Sequence, residues 1–157
     1  MTAPEDIARI TSATREIAAA ADAIFDLIAD PSRQPDWDGN DNLESAAPGQ
    51  RVRSVGATFT TRLTNGQDRE NHVVEFEEGR LIAWRPAVPG QEPPGHLWRW
   101  ELEPLDAART AVTHTYDWSR LTDPARLARA RATTSRELEA SLQQLASRAE
   151  QDRSSGA

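Results

Sequence analysis

Between His96 and Trp118 the bulkiest rings fall only on even numbers: His96, Trp98, Trp100, then His114, Tyr116 and Trp118. Successive side chains of a β-strand point to opposite faces, so residues two apart share a face. The segments His96–Glu103 and Thr110–Trp118 are therefore predicted to be neighbouring strands with every one of these rings on one surface. Arg99, Glu101, Glu103, Thr113, Thr115 and Asp117 take the other. That is more aromatic area than a small core needs. It points to a sheet whose concave face lines an aromatic cavity.

The rest of the chain supplies what such a sheet needs. Ile7–Ile17 reads as a first strand, and Ala18–Asp30 as an Ala-rich helix with Ile24, Leu27 and Ile28 at helical spacing. Pro31 stops it, and Ser32–Trp37 forms a short helix or turn before the loop Asp38–Asn42. Strands follow at Leu43–Ala47, Thr58–Leu63, Glu70–Phe76 and Arg80–Trp84, with hairpin turns at Thr64–Gln67 and around Gly79. Pro86–Gly95 is an irregular loop. Asp123-Pro124 is a helix start, Asp as N-cap and Pro in the first turn. The helix is predicted to run to about Glu150, with Leu127, Thr134, Leu138, Leu142, Leu145 and Ala149 as its inner stripe. Gln151–Ala157 is a polar, frayed tail. Only this C-terminal helix is long enough to cover the sheet's apolar face.

Composition narrows the function classes. At 157 residues the chain is read as a single domain with an ordered core at about 7–150, large enough to fold without disulfides or metals. It has no cysteine, which excludes disulfides, thiolate metal sites and a Cys nucleophile and fits a cytoplasmic location. A net charge of −7 argues against nucleic acid as a partner. No apolar run approaches the ~20 residues of a membrane span, and the polar, acidic N-terminus is no secretory signal. All 18 basic side chains are Arg, a bias of the kind high-GC codon usage produces, so their number says little about anion binding. Phosphate loops, nucleophile elbows and dinucleotide fingerprints are absent.

Several strings, in this order, resemble the SRPBCC, or START-like, superfamily and its polyketide cyclase/dehydrase branch. They are Ala23–Asp30, Pro35-Asp36-Trp37-Asp38, Val55–Phe59, Phe76 with Arg80–Trp84, and Trp100–Pro104 leading to Thr110–Thr113. The resemblance runs from about Ile10 to Leu145. It implies an α+β helix-grip fold: a curved antiparallel β-sheet wrapped around a long C-terminal α-helix, with an internal hydrophobic cavity. It also implies a small hydrophobic, aromatic or polycyclic ligand, bound without a cofactor. One fold serves several functions in this superfamily, so function must be argued from the site. Three readings stay open. They are a cofactor-independent cyclase or aromatase, a non-catalytic lipid or metabolite carrier or sensor, and an interaction module like the superfamily's chaperone-ATPase activators. Whether the chain forms a homodimer also stays open.

Candidate ligand-binding residues are Phe59, His72, Trp84, Trp98, Trp100 and Trp118 on the strands. Arg131, Thr134 and Leu138 join them from the helix, and the resemblance places Trp37 near the cavity mouth. If the protein is an enzyme, neutral His114 is the first candidate for a general base, with Tyr116 donating a hydrogen bond to a carbonyl or enolate oxygen. Arg131 could bind a carboxylate or enolate. His96 falls near the rim, and Glu70 could pair with His72. The face of His72 depends on the turn at Glu78-Gly79: a strict two-residue turn turns it away from Trp84, and one bulge or a longer turn reverses that. The histidines lack metal-ligand spacing, so no metal is expected.

Overall fold

The computed structural model describes residues 9–155. In chain order they form β1 (Ile10–Ile17), α1 (Ala21–Ala29), a 3₁₀ turn (Pro31–Asp36), β2 (Leu43–Ser45), β3 (Thr58–Leu63), β4 (Asp68–Glu77), β5 (Leu81–Ala87), β6 (Leu97–Asp106), β7 (Arg109–Asp117), α2 (Pro124–Ala132) and α3 (Ser135–Ser155). The strands make one seven-stranded antiparallel sheet in the order β1-β7-β6-β5-β4-β3-β2. This is the helix-grip α+β arrangement, with α3 packed against β1, β7 and α1. The predicted beginning of the first strand at Ile7 lies outside the described residues.

α1 exists to be buried: Ile24, Phe25, Leu27 and Ile28 face the core and are almost inaccessible. Its C-terminal carbonyls show how the next segment is placed. A helix leaves its last four carbonyls without intrahelical donors. Here Asp26 accepts from the Asp30 N–H (3.2 Å), Leu27 from the Trp37 indole (2.7 Å), Ile28 from the Gln34 amide (2.9 Å) and Ala29 from the Val52 N–H (2.9 Å). The 3₁₀ turn is thus tied back to α1, and the Trp37 ring is set edge-on to Trp100, 5.1 Å between centroids.

The inner face of the sheet divides into two regions. At one end Ile17, Phe25, Ile82, Val112, Leu142, Leu145 and Ala149 form a solid core between α1, α3 and the sheet. At the other a smaller cluster of Tyr116, Trp118, Leu121, Ala130 and Leu138 lies beneath α2 and the start of α3. The cavity opens between them.

The predicted single helix from Asp123 to Glu150 is two. Thr133 is extended (φ −86°, ψ 111°) and ends α2. Thr134 then starts α3 with a capping box: its N–H and hydroxyl both donate to Glu137 (2.8 and 2.7 Å), and its hydroxyl accepts from the Arg136 N–H (3.3 Å). The Thr-x-x-Glu signature was present in the sequence. The polar tail predicted at Gln151 instead continues α3 to Ser155. β5 runs into the predicted loop as far as Ala87, which Pro86 tolerates because β6 pairs with β5 only as far as Trp84.

The loop after the 3₁₀ turn is clamped to α3. Asn40 donates to the Glu137 carbonyl (2.9 Å) and the Ser141 hydroxyl (3.1 Å), and Ser141 donates to the Asp38 carbonyl. Gly39 between them has φ +79°, and a Cβ there would sit 2.7 Å from the Ala140 carbonyl oxygen. Gly66 has a similar φ of +86° but open space around it. Replacing a left-handed Gly by Ala costs about 1–3 kcal/mol in strain, and only Gly39→Ala adds a clash. Gly39→Ala is expected to lower the urea midpoint clearly more than Gly66→Ala. Equal losses would show that close approach at Gly39 does not matter.

Candidate functional site

The cavity floor is built from adjacent strands in direct register. Trp84, Trp98 and Tyr116 form one rung across β5, β6 and β7, and Ile82, Trp100 and His114 form the next. Trp98 stacks on Tyr116 (4.2 Å, 26°) and Trp100 on His114 (3.6 Å, 12°). Trp37 closes the side against Trp100, and Leu138 and Ser141 of α3 come over the top. The cavity holds about 540 Å³, within the ~300–1,000 Å³ usual for small-molecule sites.

The titratable groups among its rings are strongly perturbed. His114 is fully enclosed, neither ring nitrogen has a hydrogen-bond partner among the described residues, and burial pushes its pKa down to about 3. The Trp100 indole nitrogen is likewise buried and unpartnered. Burial pushes the Tyr116 phenol up to about 12, with a small opposing pull from Arg129. His96 stands at the rim, 6.1 Å from the Tyr116 ring. Burial, then the charges of Arg126, Arg69, Arg85 and Arg129, hold it down at about 4. Both cavity histidines are therefore neutral at pH 7, and the phenol keeps its proton.

The structure brings Trp37, Trp84, Trp98, Trp100, His114, Tyr116 and Leu138 together around one space. It does not bring Phe59, His72, Trp118, Arg131 or Thr134 to that space. Phe59 is buried behind Trp84, edge-on at 5.3 Å, and belongs to the core. Thr134 is spent on the α3 cap. Trp118 follows the end of β7 with its N–H still donating to the Arg9 carbonyl (2.9 Å), so it keeps the inward parity of Tyr116 but lies beyond the cavity. It packs in the smaller cluster, with the Arg131 guanidinium 5.8 Å and the Arg9 guanidinium 5.2 Å from its ring. Arg131 is thereby directed at Trp118 and away from the cavity.

His72 is the instructive correction. The β4–β5 turn has three residues, Glu78 to Arg80, which pairs Glu77 with Leu81. That alone would turn His72 inward. A bulge between Val73 and Glu75 shifts the register back, so Val73 faces Trp84 and His72 faces Arg85 on the outer side. Each irregularity reverses parity, and together they cancel. His72 is half-buried there, with Nε2 3.1 Å from Glu70 Oε1, a distance for ion pairing without hydrogen-bond alignment. The three histidines thus do not converge, and no group of His, Asp or Glu suited to a metal occurs among the described residues.

The bulge also brings in residues that parity had missed. Odd positions of β4 now face inward, so Arg69 and Asn71 join Thr61 on the cavity wall. Asn71 is buried and donates to the Phe59 carbonyl (3.2 Å) and the Thr61 hydroxyl (3.1 Å). Arg126 and Arg129 reach the cavity from α2. Their i, i+3 spacing was visible in the sequence, but a continuous helix gave Arg131 the inner position.

A model of the family described as polyketide cyclase/dehydrase and lipid transport matches residues 9–150. The protein Rv0088 of Mycobacterium tuberculosis is 30% identical over 106 residues, 66% of this chain but 45% of that protein, so the match spans under half of the relative's length. Among solved structures, the Zhui aromatase/cyclase of Streptomyces sp. R1128 superposes with a TM-score of 0.64 at 20% identity, over 90% of this chain and 93% of the other. A START superfamily protein of Mycobacterium smegmatis gives the same TM-score and identity, over 90% and 97% of the chains. No helix among the described residues is long and apolar enough to cross a membrane. With the helix-grip fold and a family match over nearly its whole length, the chain belongs to the polyketide cyclase/dehydrase and lipid transport family.

Proposed function

We propose that the protein binds a small hydrophobic molecule, aromatic or polycyclic, in this cavity. The observation that carries the reading is the floor itself. Trp98 paired with Tyr116 and Trp100 paired with His114 line a volume of about 540 Å³ with aromatic rings. Planar ligands gain most from such a surface, because offset stacking adds to area burial. The unpartnered nitrogens of His114 and Trp100 add polar points that ligand atoms could satisfy. An interaction module would instead need an exposed apolar or charged patch and a small, filled cavity. The exposed large apolar residues, Ile10, Val55, Val74 and Leu105, are dispersed in sequence over β1, the loop before β3, β4 and β6.

Within this reading the site supports cyclase-like chemistry without a cofactor. A poly-β-ketone folded on the floor would place an acidic C–H against His114 and a carbonyl against Tyr116. His114 takes the proton as the C–H bond breaks, while the Tyr116 O–H donates to the enolate oxygen. The enolate carbon then attacks a second carbonyl, whose oxygen recovers the proton from His114, and loss of water follows. Burial makes an isolated imidazolium at His114 costly, so the base works only with the enolate beside it as counter-charge. The same burial equally suits a carrier in which His114 stays neutral throughout.

Two measurements test this. Native mass spectrometry of the purified protein, followed by tryptophan quenching with polycyclic phenols, is expected to find a ligand that quenches cavity Trp fluorescence. Failure of every aromatic or lipidic compound would sink the binding reading. His114→Phe keeps the stack on Trp100 and is expected to preserve binding while lowering any cyclisation rate by about 10²–10⁴-fold. Unchanged turnover would mean that His114 is not the base, and no turnover by the wild-type protein would leave the carrier.

Acid stability checks the protonation states. The folded pKa values of His114 and His96 lie below the unfolded value near 6.5, so the unfolded chain binds more protons. Their contribution is full above about pH 6.5 and is lost as pH falls toward about 4 and then 3. Near pH 5 unfolding should take up about two protons through this pair. Unfolding free energy should rise with pH over this window, and less steeply in His114→Phe. Identical slopes would mean that His114 is not held neutral.

A further inference from the structure

The charges around the cavity are unevenly satisfied. Arg69 on β4 and Arg126 and Arg129 on α2 all line it. Arg69 donates only to neutral acceptors, the Asp68 carbonyl (2.9 Å) and the Gln67 side chain (3.0 Å). The Arg129 guanidinium has no ion-pair partner among the described residues. Arg126 has one, Asp123, at 3.4 Å. The carboxylates that line the same cavity, Asp38 and Glu137, are committed elsewhere. Asp38 accepts the Asn42 and Leu43 N–H groups (2.6 and 3.0 Å), and Glu137 caps α3. The arginines also act on one another: after burial, the charges of Arg126 and Arg129 are what lower the pKa of Arg69, and the same three act on His96.

A protein of net charge −7 has ample carboxylates to neutralise such a group. Elsewhere it does so: Arg51, Arg62, Arg99 and Arg109 each lie within 3.0 Å of a carboxylate oxygen. Arg69 and Arg126 are half-buried and Arg129 is exposed, and guanidiniums clustered on a cavity of mixed polar and apolar lining are an arrangement that recognises an oxyanion, because each offers a planar fork of donors.

We propose that the ligand carries an anionic oxygen group, a carboxylate or a phosphate, held by Arg69, Arg126 and Arg129 while its rings lie on Trp98 and Trp100. The inference rests on the aromatic-ligand reading and narrows it to an amphipathic anion. Arg129 also acts on Tyr116, so the anionic end sits at the Tyr116 side of the floor.

Isothermal titration calorimetry at pH 7.5 with three probes that share a naphthalene ring tests it: 2-naphthoate, 2-naphthyl phosphate and neutral 2-naphthamide. At least one anion is expected to bind about tenfold tighter than the amide, the worth of one charge-assisted hydrogen bond, and to weaken with added salt. The better anion identifies the headgroup class. The double variant Arg69→Gln/Arg129→Gln, checked for its fold by circular dichroism, should lose that advantage and keep amide affinity within about twofold. Equal binding of all three probes to the wild-type protein, or an anion advantage that survives in the variant, overturns the inference and leaves the aromatic pocket standing. Binding of none overturns the pocket reading and the inference with it.

Discussion

The straight pairing of β6 with β7 is the constraint on which the site depends. From Leu97 opposite Asp117 to Pro104 opposite Thr110 the register runs without a slip. Each rung therefore delivers its rings to the same face, and Trp98, Trp100, His114 and Tyr116 make one surface. A slip of one residue between the two strands would send one strand's two rings to the opposite face. The β1–β7 pairing is equally regular and holds the floor from the other side. The chain-length separation of α1 from this floor is bridged by hydrogen bonds rather than by area alone, since the helix's last carbonyls hold Gln34 and Trp37.

The floor is unfavourable in one respect. Enclosing an imidazole and an indole N–H without partners costs about 1–3 kcal/mol for each unsatisfied group. Ring stacking offsets part of this, at about 0.5–1.5 kcal/mol per aromatic pair beyond burial. A pocket that is stable only by such compensation gains when a ligand supplies the missing hydrogen bonds, which is how stability and binding become linked at His114.

The cavity is two-sided in chemistry because two elements of different character face it. β5, β6 and β7 contribute rings, while α2, with Arg69 of β4, contributes guanidiniums. That division exists because the C-terminal helix breaks at Thr133. Were it continuous, α2 would share the axis of α3 and present the stripe that carries Leu127 and Arg131. The break releases α2 to lie over the cavity with Arg126 and Arg129 toward it, while Arg131 turns to Trp118.

Period-two alternation by itself determined the aromatic floor, because within a regular ladder a residue's number decides its face. The Asp-Pro helix start, the Pro31 stop and the order of elements determined the helix-grip architecture, since local propensities and topology agreed. The helix break was legible too, in Thr134 and Glu137. Tertiary structure alone decided the positions that depend on a change of phase. Nothing in Val73-Val74-Glu75 announces a bulge, yet that bulge turns His72 outward and Arg69 and Asn71 inward. Trp118 shows a different limit: it keeps its inward parity, yet its place along the strand puts it beyond the cavity, in the smaller cluster. A side chain's number predicts its neighbours only while the hydrogen-bonded register persists. Where the register shifts, packing of the whole sheet chooses the face.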